Sequence, residues 1–148
     1  MPEEILTAKL PWKETYYTDA HAVLANDDYE KAAMDRLRAE AWPENSVFFD
    51  VGAHQGMYST FLASLGGPTS TVYAFEPNPV NFDILCLNTF PGPNDGMIVV
   101  VPAALGSEHG IVPMRCPEGR WASSQGQFIQ GPDPAPTMPV TMYELDKL

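Results

Sequence analysis

The sequence predicts an α/β domain, a parallel sheet with flanking helices, and three observations predict it. Short apolar runs at 47–51, 71–75 and 97–101 have the length and the β-branched or aromatic content of buried strands. The segments MYSTFLASL and PVNFDILCL between them have helical character, and Gly, Pro or Asn punctuates the junctions. Strand and helix alternating at this spacing imply crossover connections and hence parallel pairing. The first two runs share a further property: FFDVGAHQG reaches Asp50 and VYAFEPN reaches Glu76, so each strand ends on a carboxylate.

Taken in order, residues 1–25 give weak signals and are expected to be an N-terminal arm. In it Trp12, Tyr16 and Tyr17 pack an irregular segment or short helix. A helix is expected over 26–42. Asn26 or Asp27 can cap it, Asp27, Asp28 and Glu30 suit its positive end, and Arg36 and Arg38 suit its negative end. Tyr29, Ala33, Leu37 and Ala41 form its apolar face, Pro43 stops it and PENS turns the chain. Val47 to Val51 is the first strand, and the helix after Gly56 closes at Gly66, Gly67 and Pro68. Thr71 to Phe75 is the second strand. Asn78 caps the next helix with Pro79 at its first position, where a missing N–H costs nothing. PGPNDG breaks that helix, and Met97 to Val101 is the third strand.

The βαβαβ core thus spans 47–105 within a partial domain over 26–148, and the texture changes over 106–148. GSEHG is expected to turn the chain into a returning strand, IVPMR, forming a β-hairpin. PEGRWASSQGQFIQGPDPAPTMP then makes a long loop excursion, and YELDKL opens another helix.

Bulk properties narrow the partners. The chain has 148 residues, 45% apolar and 11% aromatic, which fits one globular domain rather than a disordered segment. A net charge of −11 with scattered Lys and Arg disfavours nucleic acid and anionic membrane surfaces. The N-terminus lacks an apolar core of signal-peptide length, and MIVVVPAAL is far too short to insert in a membrane, so a cytoplasmic protein is expected. Cys86 sits in an apolar helical pattern and is expected as a reduced core thiol; with Cys116 it lacks the spacing of a metal site, and no metal is expected. His21 and His109 are expected at the surface, Ser123 and Ser124 in loop hydrogen bonds, and Trp12, Trp42 and Trp121 in packing.

Ligands of open parallel sheets lie beyond the carboxyl ends of the strands, so Asp50 and Glu76 are expected to face one crevice. Between them GAHQG bends the chain: Gly52 allows conformations barred to other residues, and Gly56 lets a ligand or neighbouring strand approach the helix start. Dinucleotides want G-x-G-x-x-G, and here His54 stands where the middle glycine would admit a pyrophosphate. S-adenosylmethionine has no phosphate but carries an ammonium, a carboxylate and a ribose diol. Asp50 can attract the ammonium, loop amides can take the carboxylate, and Glu76 can accept from both ribose hydroxyls. The loop Ala103-Ala104-Leu105 is placed to cover the adenine.

FFDVGAHQGMYST, VYAFEPNPVNFDIL and VVVPAALGSEHGIVPM, in that order, resemble the FkbM family of S-adenosylmethionine-dependent methyltransferases, from about Tyr29 onward. The resemblance extends to the serines at 123 and 124 and to VTMYELDKL. It implies a Rossmann-like class I methyltransferase fold and cofactor-binding roles for Asp50, Gly52, Ala53, His54, Gly56 and Glu76, with Pro77 and Asn78 shaping the turn. It also implies O-methylation of a hydroxyl on a sugar, glycolipid or polyketide-type small molecule. Position 54 is usually Asn in that family and here is His. The family continues with a strand ending in a D-V-E-G-like motif and further strands beyond the point this sequence reaches, so the resemblance implies a truncated domain.

A first strand without its usual neighbour would be an exposed apolar edge, inviting self-association or a partner chain. Two alternatives stand beside the methyltransferase: a non-catalytic or split half acting as an interaction module, and, more weakly, a nicotinamide oxidoreductase. No residue is assigned as catalytic base.

Overall fold

The computed structural model describes residues 5–18, 30–89, 95–115, 127–128 and 137–147. It opens with strands β1 (Leu6–Leu10) and β2 (Lys13–Thr18), paired antiparallel. This hairpin replaces the irregular arm or short helix expected there. Leu6, Ala8 and Leu10 alternate with exposed Thr7 and Lys9, a period of two that points one side of the strand inward. Pro11 and Trp12 make the turn.

Helix α1 (Lys31–Ala39) is shorter than the 26–42 expected. The proposed caps Asn26 and Asp27, with Tyr29, lie outside the described residues. At the other end Glu40 is already extended, and the Leu37 carbonyl accepts both the Glu40 N–H at 3.4 Å and the Trp42 indole N–H at 2.9 Å, which supplements the long capping bond. Lys31 and Arg38 both pair with Asp35 across one turn of the exposed side.

Strands β3 (Val47–Val51), β4 (Thr71–Phe75) and β5 (Met97–Val101) form the predicted parallel sheet in the order β3-β4-β5. Helices α2 (Met57–Gly66) and α3 (Pro79–Asn88) connect them. The core lies on one face. Phe48 and Val72 meet Leu62 and Ala63 of α2 and Leu37 of α1; Ala74, Ile98 and Val100 meet Leu85 and Phe82 of α3. Arg38 lies over the Phe61 ring at 4.8 Å, and Trp12 meets that ring edge-on at 5.0 Å, so the hairpin and α1 both dock on α2. Trp42 packs edge-on against Phe48, also at 5.0 Å.

The other face is different. Val47, Phe49, Val51 and Met97 are 56%, 48%, 55% and 57% exposed, although Phe49 stacks on Tyr73 at 5.5 Å. Parallel sheets ordinarily bury both faces. Among the described residues β3 also has a neighbour on one side only, so an apolar edge strand and a bare apolar face coincide.

A second sheet follows: β6 (Ala104–Gly106), β7 (Gly110–Arg115), β8 (Gln127–Phe128) and β9 (Met138–Glu144), in the order β6-β9-β7-β8. The returning strand therefore exists as β7, but it pairs with β9 and β8 and not with β5. Tyr143 and Glu144, expected to open a helix, end β9 instead, and a 3-10 turn at Leu145–Lys147 follows. The alternation that decides this is Val140 and Met142 inward with Thr141 and Tyr143 between them. Cys116, Trp121, Ser123 and Ser124 lie outside the described residues, as does His21, while His109 is exposed beside the Tyr143 ring.

Candidate functional site

The site forms where β3, β4 and β5 end side by side. Asp50 lies opposite Ala74 in the ladder, Val51 opposite Phe75, and Phe75 opposite Val101, so Glu76 is the first residue past the sheet. The Glu76 N–H donates to the Val101 carbonyl at 3.1 Å and the Ala103 N–H donates to the same oxygen at 2.8 Å. The chain leaving β5 is thereby brought beside the carboxylate.

The loop from Gly52 to Gly56 crosses these strand ends. Its first two amides, Gly52 and Ala53, both donate to the Phe75 carbonyl at 2.9 Å. Gly52, His54 and Gly56 all have left-handed backbones, with φ of 76°, 54° and 88°. For His54 that conformation costs about 1–2 kcal/mol. What holds it there is Glu76: the His54 N–H donates to Oε2 at 2.8 Å, while the Asn78 N–H donates to Oε1, also at 2.8 Å. Glu76 is 5% exposed, so the carboxylate is a buried bolt between the glycine loop and the turn entering α3. Asn78 also caps α3, its Oδ1 accepting from the Val80 N–H at 3.0 Å.

The two glycines serve different ends. A side chain at Gly52 would meet no atom within 4 Å, so only its backbone angle demands glycine and the space beside it is open. A Cβ at Gly56 would stand 2.6 Å from Leu85 Cδ1 of α3. A close approach at Gly56 is thus made by a neighbouring helix. Gly56→Ala is expected to destabilise the fold by roughly 1–3 kcal/mol through overpacking, with the left-handed φ adding to it. Gly52→Ala should cost only the backbone part, and urea unfolding midpoints of the two variants check the difference.

Both carboxyls are perturbed in one direction. Burial pushes the Asp50 carboxyl above its ordinary value, against a 2.6 Å hydrogen bond donated by the Ser59 hydroxyl to Oδ2. Burial likewise raises Glu76, opposed by the donors on Asn78, His54 and Asn81, and the charge of Asp50 raises it further. The charge of Asp50 is the smallest of the influences on Glu76, and burial dominates at both carboxyls.

Of the residues expected here, Asp50, Gly52, His54, Glu76, Pro77, Asn78 and Ala103 gather at the strand ends. Ala53 is buried among Ala74 and Leu85, and Ala104 and Leu105 belong to β6 rather than to a loop. Ser59, Asn81, Gln55 and Asn88 were not anticipated. All four are nearly or fully buried polar residues; for Ser59, Asn81 and Asn88 the available signal was a polar side chain within an otherwise apolar helix, whereas Gln55 lies in the glycine loop, where no such pattern marks it.

The family model of the methyltransferase FkbM domain matches residues 50–148. The chain belongs to the FkbM methyltransferase family. No curated protein and no solved structure matches it. The family match begins on Asp50 itself and takes in the glycine loop, Glu76 and the second sheet, while β1, β2 and α1 precede it. Membership in a methyltransferase family implies a methyl donor, and the acid pair with its glycine loop lies wholly within the matched segment. Among the described residues of this FkbM-family protein, no helix is long and apolar enough to cross a membrane.

Proposed function

We propose that this FkbM-family protein binds S-adenosylmethionine in a Rossmann-like class I site and methylates a hydroxyl of a sugar, glycolipid or polyketide-type small molecule. One observation carries the reading: Asp50 and Glu76 stand at the ends of adjacent strands, both carboxyls desolvated by burial, with open space at Gly52 between them in sequence. The residues fit the cofactor's charges. A carboxylate has about four lone-pair sites. The amides of His54 and Asn78 occupy one on each Glu76 oxygen, and Asn81 donates as well, which leaves capacity for a ribose hydroxyl. Asp50, a partly buried carboxylate held in place by Ser59, suits an ammonium. The bound cofactor would supply a methyl group on a sulfonium. The chain's own contribution is alignment, since transfer depends mainly on holding the acceptor in line with the methyl. A nicotinamide dinucleotide fits less well, because His54 occupies the middle of the turn in a left-handed conformation.

Calorimetric titration tests this. S-adenosylmethionine is expected to bind saturably at one site, and reduced nicotinamide dinucleotide is expected not to; the reverse pattern would overturn the assignment. The bare face of β3 favours a second reading, in which the protein works as a cofactor-binding half that self-associates or recruits a partner chain at that edge. Light scattering on the same sample distinguishes them, since a dispersed monomer that binds cofactor counts against the second reading.

A further inference from the structure

The hairpin β1–β2 precedes the segment matched by the family model, yet its end is wired into the glycine loop. Asn88, at the last position of α3 and 0% exposed, pairs with Tyr17 as a strand neighbour would. Its Oδ1 accepts from the Tyr17 N–H at 2.7 Å and its Nδ2 donates to the Tyr17 carbonyl at 2.8 Å. The same Nδ2 donates to the Gln55 carbonyl at 2.7 Å, within the loop itself. One residue further along β2, the Thr18 hydroxyl donates to Gln55 Oε1 at 2.8 Å. Thr18 and Gln55 are 3% and 2% exposed, so no water competes for these bonds.

The loop is therefore held from two sides. Phe75 and Glu76 fix Gly52, Ala53 and His54 from the sheet; Thr18 fixes Gln55 from the hairpin, and Asn88 of α3 ties both Gln55 and the hairpin's Tyr17. His54, with its left-handed backbone, sits between the two clamps. A non-glycine residue stays in such a conformation only where its surroundings over-determine it. We propose that Thr18, Gln55 and Asn88 form a latch through which the hairpin sets the conformation of the glycine loop, making them positioning residues for the methyl donor. A buried, satisfied polar network specifies one geometry, whereas an apolar contact would hold the hairpin without dictating the loop. The inference rests on the methyl-donor reading above for its effect on affinity, but not for its effect on the loop.

The test compares two substitutions on the same hairpin in the full chain. Thr18→Val keeps shape and removes the latch hydroxyl. Trp12→Phe removes the 3.2 Å indole bond to Thr60 Oγ1, which docks the hairpin on α2 and reaches the loop at its last residue, through the 3.0 Å bond from the Thr60 hydroxyl to the Gly56 carbonyl, and not at Gln55. Thr18→Val is expected to speed amide hydrogen exchange at His54 and Gln55 about tenfold and to weaken S-adenosylmethionine binding several-fold. Thr18→Ser is expected to restore both, and Trp12→Phe to leave both within about twofold of the parent while lowering the melting temperature. Unchanged exchange at His54 in Thr18→Val, or equal acceleration in Trp12→Phe, overturns the latch. If the parent chain binds no S-adenosylmethionine, the methyl-donor reading falls, and the exchange measurements decide the latch by themselves.

Discussion

Glu76→Gln is expected to lower the stability of the protein by roughly 1–3 kcal/mol and Glu76→Ala by about twice as much. The carboxylate accepts from two backbone amides that have no easy substitute, one on each oxygen. Glutamine keeps one acceptor and turns an N–H₂ toward the other amide, leaving a buried donor facing a donor; alanine strands both. Relief of the buried charge offsets part of the loss in either variant, since the pocket disfavours the ionised form. Because the same residue holds the loop, a simple loss of cofactor affinity would not show that it touches the ribose. A cycle with the 2′-deoxy form of the cofactor separates the roles. In the parent protein the deoxy ligand should bind about tenfold more weakly, the equivalent of one hydrogen bond to a charged group. In Glu76→Gln the two ligands should differ much less. An equal penalty in both proteins would leave Glu76 as a clamp only and remove it from ribose recognition.

The sheet was legible because its physics is local. Val47–Val51, Thr71–Phe75 and Met97–Val101 are apolar runs bounded by turn residues, and the strand bounds fall where those runs end. The start of α3 was legible for the same reason, since Asn78 and Pro79 are a cap and a first-turn residue whatever surrounds them. The acid pair was legible as two residues at strand ends. What could not be read was the use made of each. Glu76 spends lone pairs on backbone amides 22 and 2 positions away in sequence, and the first of these contacts, to His54, exists only once β3 and β4 lie in register. Gly56 and Leu85 meet because α3 crosses the loop. The hairpin was concealed by its shortness, for Leu6, Ala8 and Leu10 make too brief an alternation to stand against the aromatic residues that follow. Asn88 looked like the tail of a helix, and its importance depends on Tyr17, 71 positions earlier.

Binding of S-adenosylmethionine is expected to strengthen as pH rises, and to release protons on the acidic side of that rise. Asp50 and Glu76 have ordinary values of 3.8 and 4.5, and in the folded protein burial raises both. A carboxyl whose folded value is raised contributes stability that is fully present below its unfolded value and is lost as pH climbs through the folded one. The ligand-free protein should therefore lose stability from these two groups across the window that runs from their ordinary values up to the raised ones. A cationic ligand reverses the penalty at Asp50, because its positive charge favours the ionised carboxylate that burial disfavours. Proton loss and ligand binding are then linked: titrations in two buffers of different ionisation enthalpy should report protons released within this window and none above it. Asp50→Asn makes the assignment specific. The amide oxygen can still accept from Ser59, so the local geometry is kept while the charge is removed. That variant should be more stable than the parent at neutral pH, bind the cofactor about 10- to 100-fold more weakly, the equivalent of roughly 1.5–3 kcal/mol, and lose most of the pH dependence. If Asp50→Asn instead retains the parent's full slope of affinity with pH, the titrating group is Glu76 and the ammonium is held elsewhere.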